Sequence, residues 1–246
     1  IYHEMKIGTV GKPKFNIFDN LLVGIDAISS NFTVVNNVFQ NNPLNQKTAV
    51  AIHAIAENLT VNRFQVIPAV ANNFTNRFYD VGRAIEAIDY YEMIAKKCEV
   101  RSSHVTTAPI ASPGVFNGKH GFITQTNRFK TVNFSNNTMY NIENGIAFIG
   151  SFGLLPSGTP PVFGQYSGQV DINNNIIQPH LPGNTVTTQY VANAISVNNV
   201  VVGFNLIFIP NATININNNT LTDVYRGIGV SSWGKKDIKT NDNTIS

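Results

Sequence analysis

Cysteine is almost absent from this chain. Cys98 stands alone among 246 residues, so neither an intrachain disulfide nor a thiolate zinc site can form. A single small thiol reads as a buried apolar side chain rather than a nucleophile. Charge is equally sparse: charged residues make up 13% of the chain, and the net +3 is the difference of 17 Lys+Arg and 14 Asp+Glu. Basic residues are scattered, and a dense basic run such as Lys235-Lys236 with Lys239 nearby is short. Nucleic-acid binding concentrates positive charge on one face with aromatics interleaved, so no nucleic-acid partner is expected. No apolar run approaches the ~20 residues that cross a bilayer as a helix, so no membrane insertion is expected, and no signal-peptide pattern stands at the start.

What is present is a repeat. Hydrophobic residues make up 43% of the chain, and with so few charges the sequence is one that folds rather than stays disordered. Gly24-Ile25-Asp26-Ala27-Ile28 returns as Ala51-Ile52-His53-Ala54-Ile55 and Ala84-Ile85-Glu86-Ala87-Ile88. Looser copies follow at Gly121, Gly145, Ala194 and Gly227. A second element, Asn-x-apolar, precedes the small residue at constant spacing in Asn16/Phe18/Gly24, Asn76/Phe78/Ala84, Asn137/Met139/Gly145 and Asn219/Leu221/Gly227. Interrupted versions occur at Asn37/Phe39/Ala51 and Asn175/Ile177/Ala194, where the added residues read as surface loops. A third element is a short alternating strand upstream, as in Asn31-Phe32-Thr33-Val34 and Thr213-Ile214-Asn215-Ile216.

Each unit is therefore strand, corner, short strand, corner, strand. The Asn mark recurs after 21 residues (16 to 37) and 24 (219 to 243) where the chain is uninterrupted. A period of this length with strands and no helical signal predicts a solenoid of stacked parallel coils. Asn suits the corners because it tolerates left-handed backbone and bonds neighbouring main-chain groups, and stacked amides form ladders. The 35 Asn residues thus have a structural explanation.

The regularity breaks near 89–119, where Tyr90 to Lys97 reads either as a helical insertion or as one irregular rung. It breaks again near 151–168, with the run Leu155-Pro156-Ser157-Gly158-Thr159-Pro160-Pro161, and near 178–193. Asn76 follows Asn62 by only 14 positions, too few for a full coil. The start at Ile1 and the stop just after Asn243-Thr244-Ile245 read as a solenoid cut at both ends.

The corners Asn36-Asn37-Val38-Phe39, Asn136-Asn137-Thr138-Met139 and Asn218-Asn219-Thr220-Leu221, with the Gly-Ile strands, resemble those of right-handed parallel β-helix proteins, the pectin-lyase-like superfamily in its broad sense. The Asn-rich, cysteine-poor style also resembles secreted and surface β-helix proteins of bacteria. The expected fold is all-β, one right-handed parallel β-helix domain over 1–246 of roughly seven to nine coils. The resemblance implies two functions of different kinds. One is a noncatalytic, adhesin-like scaffold, secreted or at the cell surface, that binds polysaccharide or cell-surface glycan. The other is a polysaccharide lyase or glycoside hydrolase. A third reading makes the helix part of a larger secreted cargo, tied to secretion or anchoring machinery through flanking domains.

Stacking the small-Ile strands in register places the residue after Ile in one outward column: Asp26, His53, Glu86, then Ile123, Ala147, Ser196 and Gly229. Carboxylate, imidazole and carboxylate on consecutive coils are the groups that proton transfer uses, so Asp26, His53 and Glu86 are the catalytic candidates. No cofactor is called for; a divalent cation such as calcium between these groups has no further support. Arg83 and His120, near the column, and Tyr79 and Tyr140, which follow the large apolar residue and suit stacking on sugar rings, are the substrate-binding candidates. The hydrolase signatures of the superfamily (Asn-Thr-Asp, paired Asp, Gly-His-Gly, Arg-Ile-Lys) do not occur. Asp80/Arg83 and Asp223/Arg226 sit at equivalent corners and read as local ion pairs. The Asn-x-Ser/Thr triplets follow from composition, and the isolated Asn215-Ile216-Asn217 does not make an ice-binding ladder.

Overall fold

The computed structural model describes residues 5–8, 15–41, 50–56, 62–69, 75–103, 119–126, 129–151, 167–179, 191–200, 211–232 and 236–246. They form a right-handed parallel β-helix of seven to eight coils, with no helix among the described residues. Each coil gives one strand to each of three sheets. The first sheet runs from Met5–Ile7 to Lys236–Lys239 and the second from Asn16–Asp19 to Thr244–Ile245, each with eight strands; the third runs from Val23–Ile28 to Val224–Ser232 with seven. Every pairing is parallel and links neighbouring coils.

The core is built of columns of like side chains. In the second sheet Phe18, Phe39 and Phe78 stack at centroid distances of 4.7 and 5.1 Å with interplanar angles of 12° and 4°. The column continues as Val100, Met139, Ile177 and Leu221. Facing it is the column that begins each small-Ile strand. A Cβ on Gly145 would meet the Ala194 carbonyl oxygen at 2.4 Å and Ile177 Cδ1 at 2.8 Å, so the side chain there must be minimal.

Two adjacent residues share the work of the corner between the first and second sheets. The first turns the chain through left-handed backbone: Asn36 (φ 58°), Asn136 (59°), Asn174 (57°) and Asn218 (56°). The second is buried and forms a ladder along the axis. Asn137 donates through its main-chain N–H and its Nδ2 to Asn175 Oδ1, both at 3.0 Å. Asn175 does the same to Asn219 at 2.9 Å, and Asn219 to Asn243 at 3.0 and 2.9 Å. Each Nδ2 also donates to a first-sheet carbonyl of the coil before, as Asn175 does to Phe134 O at 2.9 Å. One amide per coil thereby satisfies backbone groups that no strand can reach.

Two of the places where the repeat reads poorly, between Asn62 and Asn76 and after Asp89, continue the sheets as ordinary coils. Arg63–Ile67 lies in the first sheet and Arg77–Tyr79 in the second, so the short spacing from Asn62 to Asn76 joins two sides of one coil. The segment after Asp89 is neither helical nor an irregular rung, because Glu92–Lys96 and Glu99–Arg101 continue the first and second sheets in register. Lys97-Cys98 stands there in place of Asn-Asn. Lys97 is left-handed (φ 53°), the Cys98 N–H donates to Asn137 Oδ1 at 2.9 Å, and the thiol lies 3.9 Å from Val66 O. Burial holds that thiol far above its ordinary range, so it is inert rather than reactive. Tyr90, fully buried, packs edge-on against Phe32 and Phe64 and donates its hydroxyl to Ser30 O at 2.9 Å. Of the expected surface loops Asn41 to Pro43 and Pro179 to Asn184, the first residue of each is described and is buried; the rest of both, the Pro-rich run and residues 104–118 lie outside the described residues.

Cys98→Asn is expected to complete the ladder and raise stability by about 1 kcal/mol in urea unfolding. Asn137→Ala strands the Cys98 N–H and a first-sheet carbonyl in the core and should lower stability by about 3 kcal/mol or more. Burial pushes the Tyr90 hydroxyl up to about 12 from its ordinary 10. A raised acid pKa favours the neutral, folded form: the contribution is whole below pH 10 and is lost as pH rises toward 12. Alkaline unfolding followed by circular dichroism should begin in that window, with a smaller loss of stability across it in Tyr90→Phe.

Candidate functional site

The stacking register decides which outward side chains meet. In the third sheet Asp26 pairs with His53, His53 with Glu86, Glu86 with Ile123, and the column runs on through Ala147, Ser196 and Gly229. Asp26, His53 and Glu86 thus occupy consecutive coils, yet they do not converge. His53 Nδ1 meets Asp26 Oδ1 at 2.9 Å, while Glu86 turns along its own strand to Arg83 Nη1 at 2.5 Å. The Asp26 side chain is 56% exposed, so water reaches this dyad freely and the carboxylate is screened. The aspartate contacts one ring nitrogen and so fixes how the imidazole is turned. Beyond Glu86 the column turns apolar at Ile123, and no serine, threonine or cysteine stands in its first three coils.

His120 stacks on Arg83 in the adjacent column and takes a different partner. Its Nδ1 accepts from Asn144 Nδ2 at 2.9 Å, and Asn144 Oδ1 accepts from Asn193 Nδ2 at 2.7 Å. An amide donor at Nδ1 places the ring proton on Nε2. Burial lowers the His120 pKa, opposed by the nearby Glu143 carboxylate, and the ring is held neutral. Asp80 does not pair with Arg83 as the corner motif suggested. Its carboxylate accepts from the Ser103 N–H at 2.6 Å and from the Ser103 hydroxyl at 2.9 Å. Among the described residues no group of three His, Cys, Asp or Glu side chains is placed to hold a metal ion.

Tyr79 and Tyr140 stand on a different face, the outside of the second sheet. There the register runs Asp19, Gln40, Tyr79, Arg101, Tyr140, Gln178 without a gap. The Arg101 guanidinium lies over the Tyr79 ring, 3.9 Å from its centroid. One face of the Tyr79 ring is therefore taken. Glu99 joins the group from the neighbouring column, with Arg77 Nε and Arg101 Nη1 each 3.9 Å from one of its oxygens and the Tyr79 hydroxyl donating to it at 3.4 Å. Partial burial and the Glu99 charge raise the pKa of both tyrosines, so they remain neutral donors over the physiological range.

The sequence-derived set therefore divides between two faces: Asp26, His53, Arg83, Glu86 and His120 on the third sheet, Tyr79 and Tyr140 on the second. Arg101, Gln40 and Gln178 escaped the sequence reading. Arg101 was hidden because Cys98 replaces the ladder Asn that marks its strand. The signal that locates it is the match of Lys97-Cys98-Glu99-Val100 to Asn136-Asn137-Thr138-Met139. Comparison with known proteins finds no matching family model and no match among curated proteins or solved structures.

Proposed function

We propose that this chain is a noncatalytic, adhesin-like scaffold of a secreted or cell-surface bacterial protein, a pectin-lyase-like β-helix in the broad sense, which holds polysaccharide along its second sheet. The observation that carries the reading is the unbroken outward column Gln40, Tyr79, Arg101, Tyr140, Gln178. Its members are planar, polar groups, and the Tyr79–Arg101 pair is already stacked before any ligand arrives. Planar donors and acceptors held in advance lose little entropy when they bond the hydroxyls of a sugar chain. The coil spacing repeats such a group about every 4.8 Å, and Tyr79 and Tyr140, two coils apart, stand about 10 Å from one another. An extended glycan laid along the axis would meet the same chemistry several times over, which suits weak, multiplied contacts to a polymer.

One observation favours a second reading, a polysaccharide lyase or glycoside hydrolase. It is the Asp26–His53 contact, a carboxylate-oriented imidazole on an open face. Against it stands the pairing of Glu86 with Arg83, which removes the third candidate from the group.

Binding to insoluble polysaccharides and a glycan array, paired with an assay for released saccharides, separates the readings. The wild type is expected to bind without releasing product. Tyr79→Ala/Arg101→Ala should weaken binding at least tenfold, about 1.4 kcal/mol, and Asp26→Ala/His53→Ala should leave it unchanged. Product release that disappears in the Asp26/His53 variant would establish the enzyme instead, and binding unaffected by the Tyr79/Arg101 variant would remove the second-sheet stripe.

A further inference from the structure

On the outside of the third sheet one column reads Arg83, His120, Asn144, Asn193 and Arg226 on consecutive coils. Its middle members are joined by hydrogen bonds that all point the same way. Asn193 Nδ2 donates to Asn144 Oδ1 at 2.7 Å, and Asn144 Nδ2 donates to His120 Nδ1 at 2.9 Å. With its Nδ2 committed to Asn144, Asn193 leaves its oxygen for the next residue in register, Arg226, which can only donate. Asn144 Nδ2 also lies 3.4 Å from Glu143 Oε1, a second acceptor that holds the amide this way round.

Such a chain has one other arrangement with the same number of bonds between its members. Half a turn about the last side-chain torsion exchanges the oxygen and nitrogen of an asparagine and leaves the backbone in place. With both amides turned, His120 Nδ1 becomes the donor to Asn144 Oδ1, and Asn144 Nδ2 donates to Asn193 Oδ1. Asn193 then turns its Nδ2 to Arg226, donor against donor, and Glu143 meets an oxygen in place of Nδ2. A neutral ring with its proton on Nε2 fits only the first arrangement. The imidazolium carries a proton on both nitrogens and fits only the second.

We propose that His120, Asn144 and Asn193 form a proton-driven relay: a proton taken from solvent at His120 Nδ1 reverses both amides and presents Arg226 with a donor in place of an acceptor. Arg226 stands three coils from His120, about 14 Å at the usual coil spacing. That exceeds the screening length of about 8 Å at physiological salt, so the amides carry the signal where bare charge does not. The charged groups around the ring are Arg83 and Glu86 on the preceding strand, Lys119 beside it in the chain and Glu143 before the following strand. Burial is the largest influence and keeps the ring neutral; Arg83 and Lys119 act in the same sense, and Glu143 and Glu86 oppose it. The relay therefore reverses on acidification below the ordinary imidazole range.

Nitrogen-15 NMR of the histidine rings over a pH series tests this, because protons on Nδ1 and on Nε2 give distinct shifts; His120→Gln identifies the resonances, and circular dichroism checks that each variant folds. The wild type is expected to hold the Nε2–H form at neutral pH. A carboxylate at 193 can only accept, so Asn193→Asp should turn Asn144 around, convert His120 to the Nδ1–H form at neutral pH and raise its titration midpoint by about one unit. Ser196→Asp puts the same charge on the same strand outside the relay and should leave the Nε2–H form in place. Arg226→Gln removes the clash of donors and should raise the midpoint by about half a unit, even at about 1 M salt, where the screening length is about 3 Å. An Nδ1–H ring in the wild type, an Nε2–H ring in Asn193→Asp, a changed ring in Ser196→Asp, or an unmoved midpoint in Arg226→Gln would each overturn the proposal.

Discussion

The buried amide ladder is the constraint on which the rest of the structure depends. A coil with three corners leaves backbone groups at each turn that the sheets cannot pair, and these cannot stay bare in the interior. An asparagine amide offers an acceptor and two donors in one plane, so a single side chain can serve the coil before and the coil after. The ladder positions Asn37, Asn76, Asn137, Asn175 and Asn219 are all essentially inaccessible to solvent. Their bonds also fix the axial register, since a slip of one residue would remove every amide from its partners at once. The break at Cys98 shows how local the requirement is: its main-chain N–H still enters the ladder, and only the amide is missing.

Once register is fixed by the interior, the outside of each sheet is free to carry its own chemistry. The first sheet presents polar side chains that bond one another along the axis, as the Asn215 amide does to the Asp171 carboxylate at 2.8 Å. The second presents the tyrosine and arginine stack, and the third presents separated ion pairs beside a column of isoleucines. Neighbouring members of any column are held about one coil spacing apart, close enough for side chains to stack or bond whenever their chemistry allows. The second-sheet stripe and the Asp26–His53 dyad are two outcomes of that one geometric rule.

By itself the sequence determined the architecture. Small-Ile strands, Asn-x-apolar corners and a period of 21 to 24 residues are local patterns, and local patterns specify a coil because each coil repeats the same contacts. The outward column from Asp26 to Gly229 could be written down from alignment of the repeats alone, and the register matches it. The coil from Glu92 to Arg101 could not, because Lys97-Cys98 removes the marks that the eye follows although the backbone still turns there. Only the tertiary structure decided the partners. Glu86 chose Arg83 on its own strand over His53 on the next, Arg101 took one face of Tyr79, and His120 took Asn144. Those choices turn on side-chain rotamers and on distances between residues 3 to 24 positions apart, which a repeat pattern leaves open and packing settles.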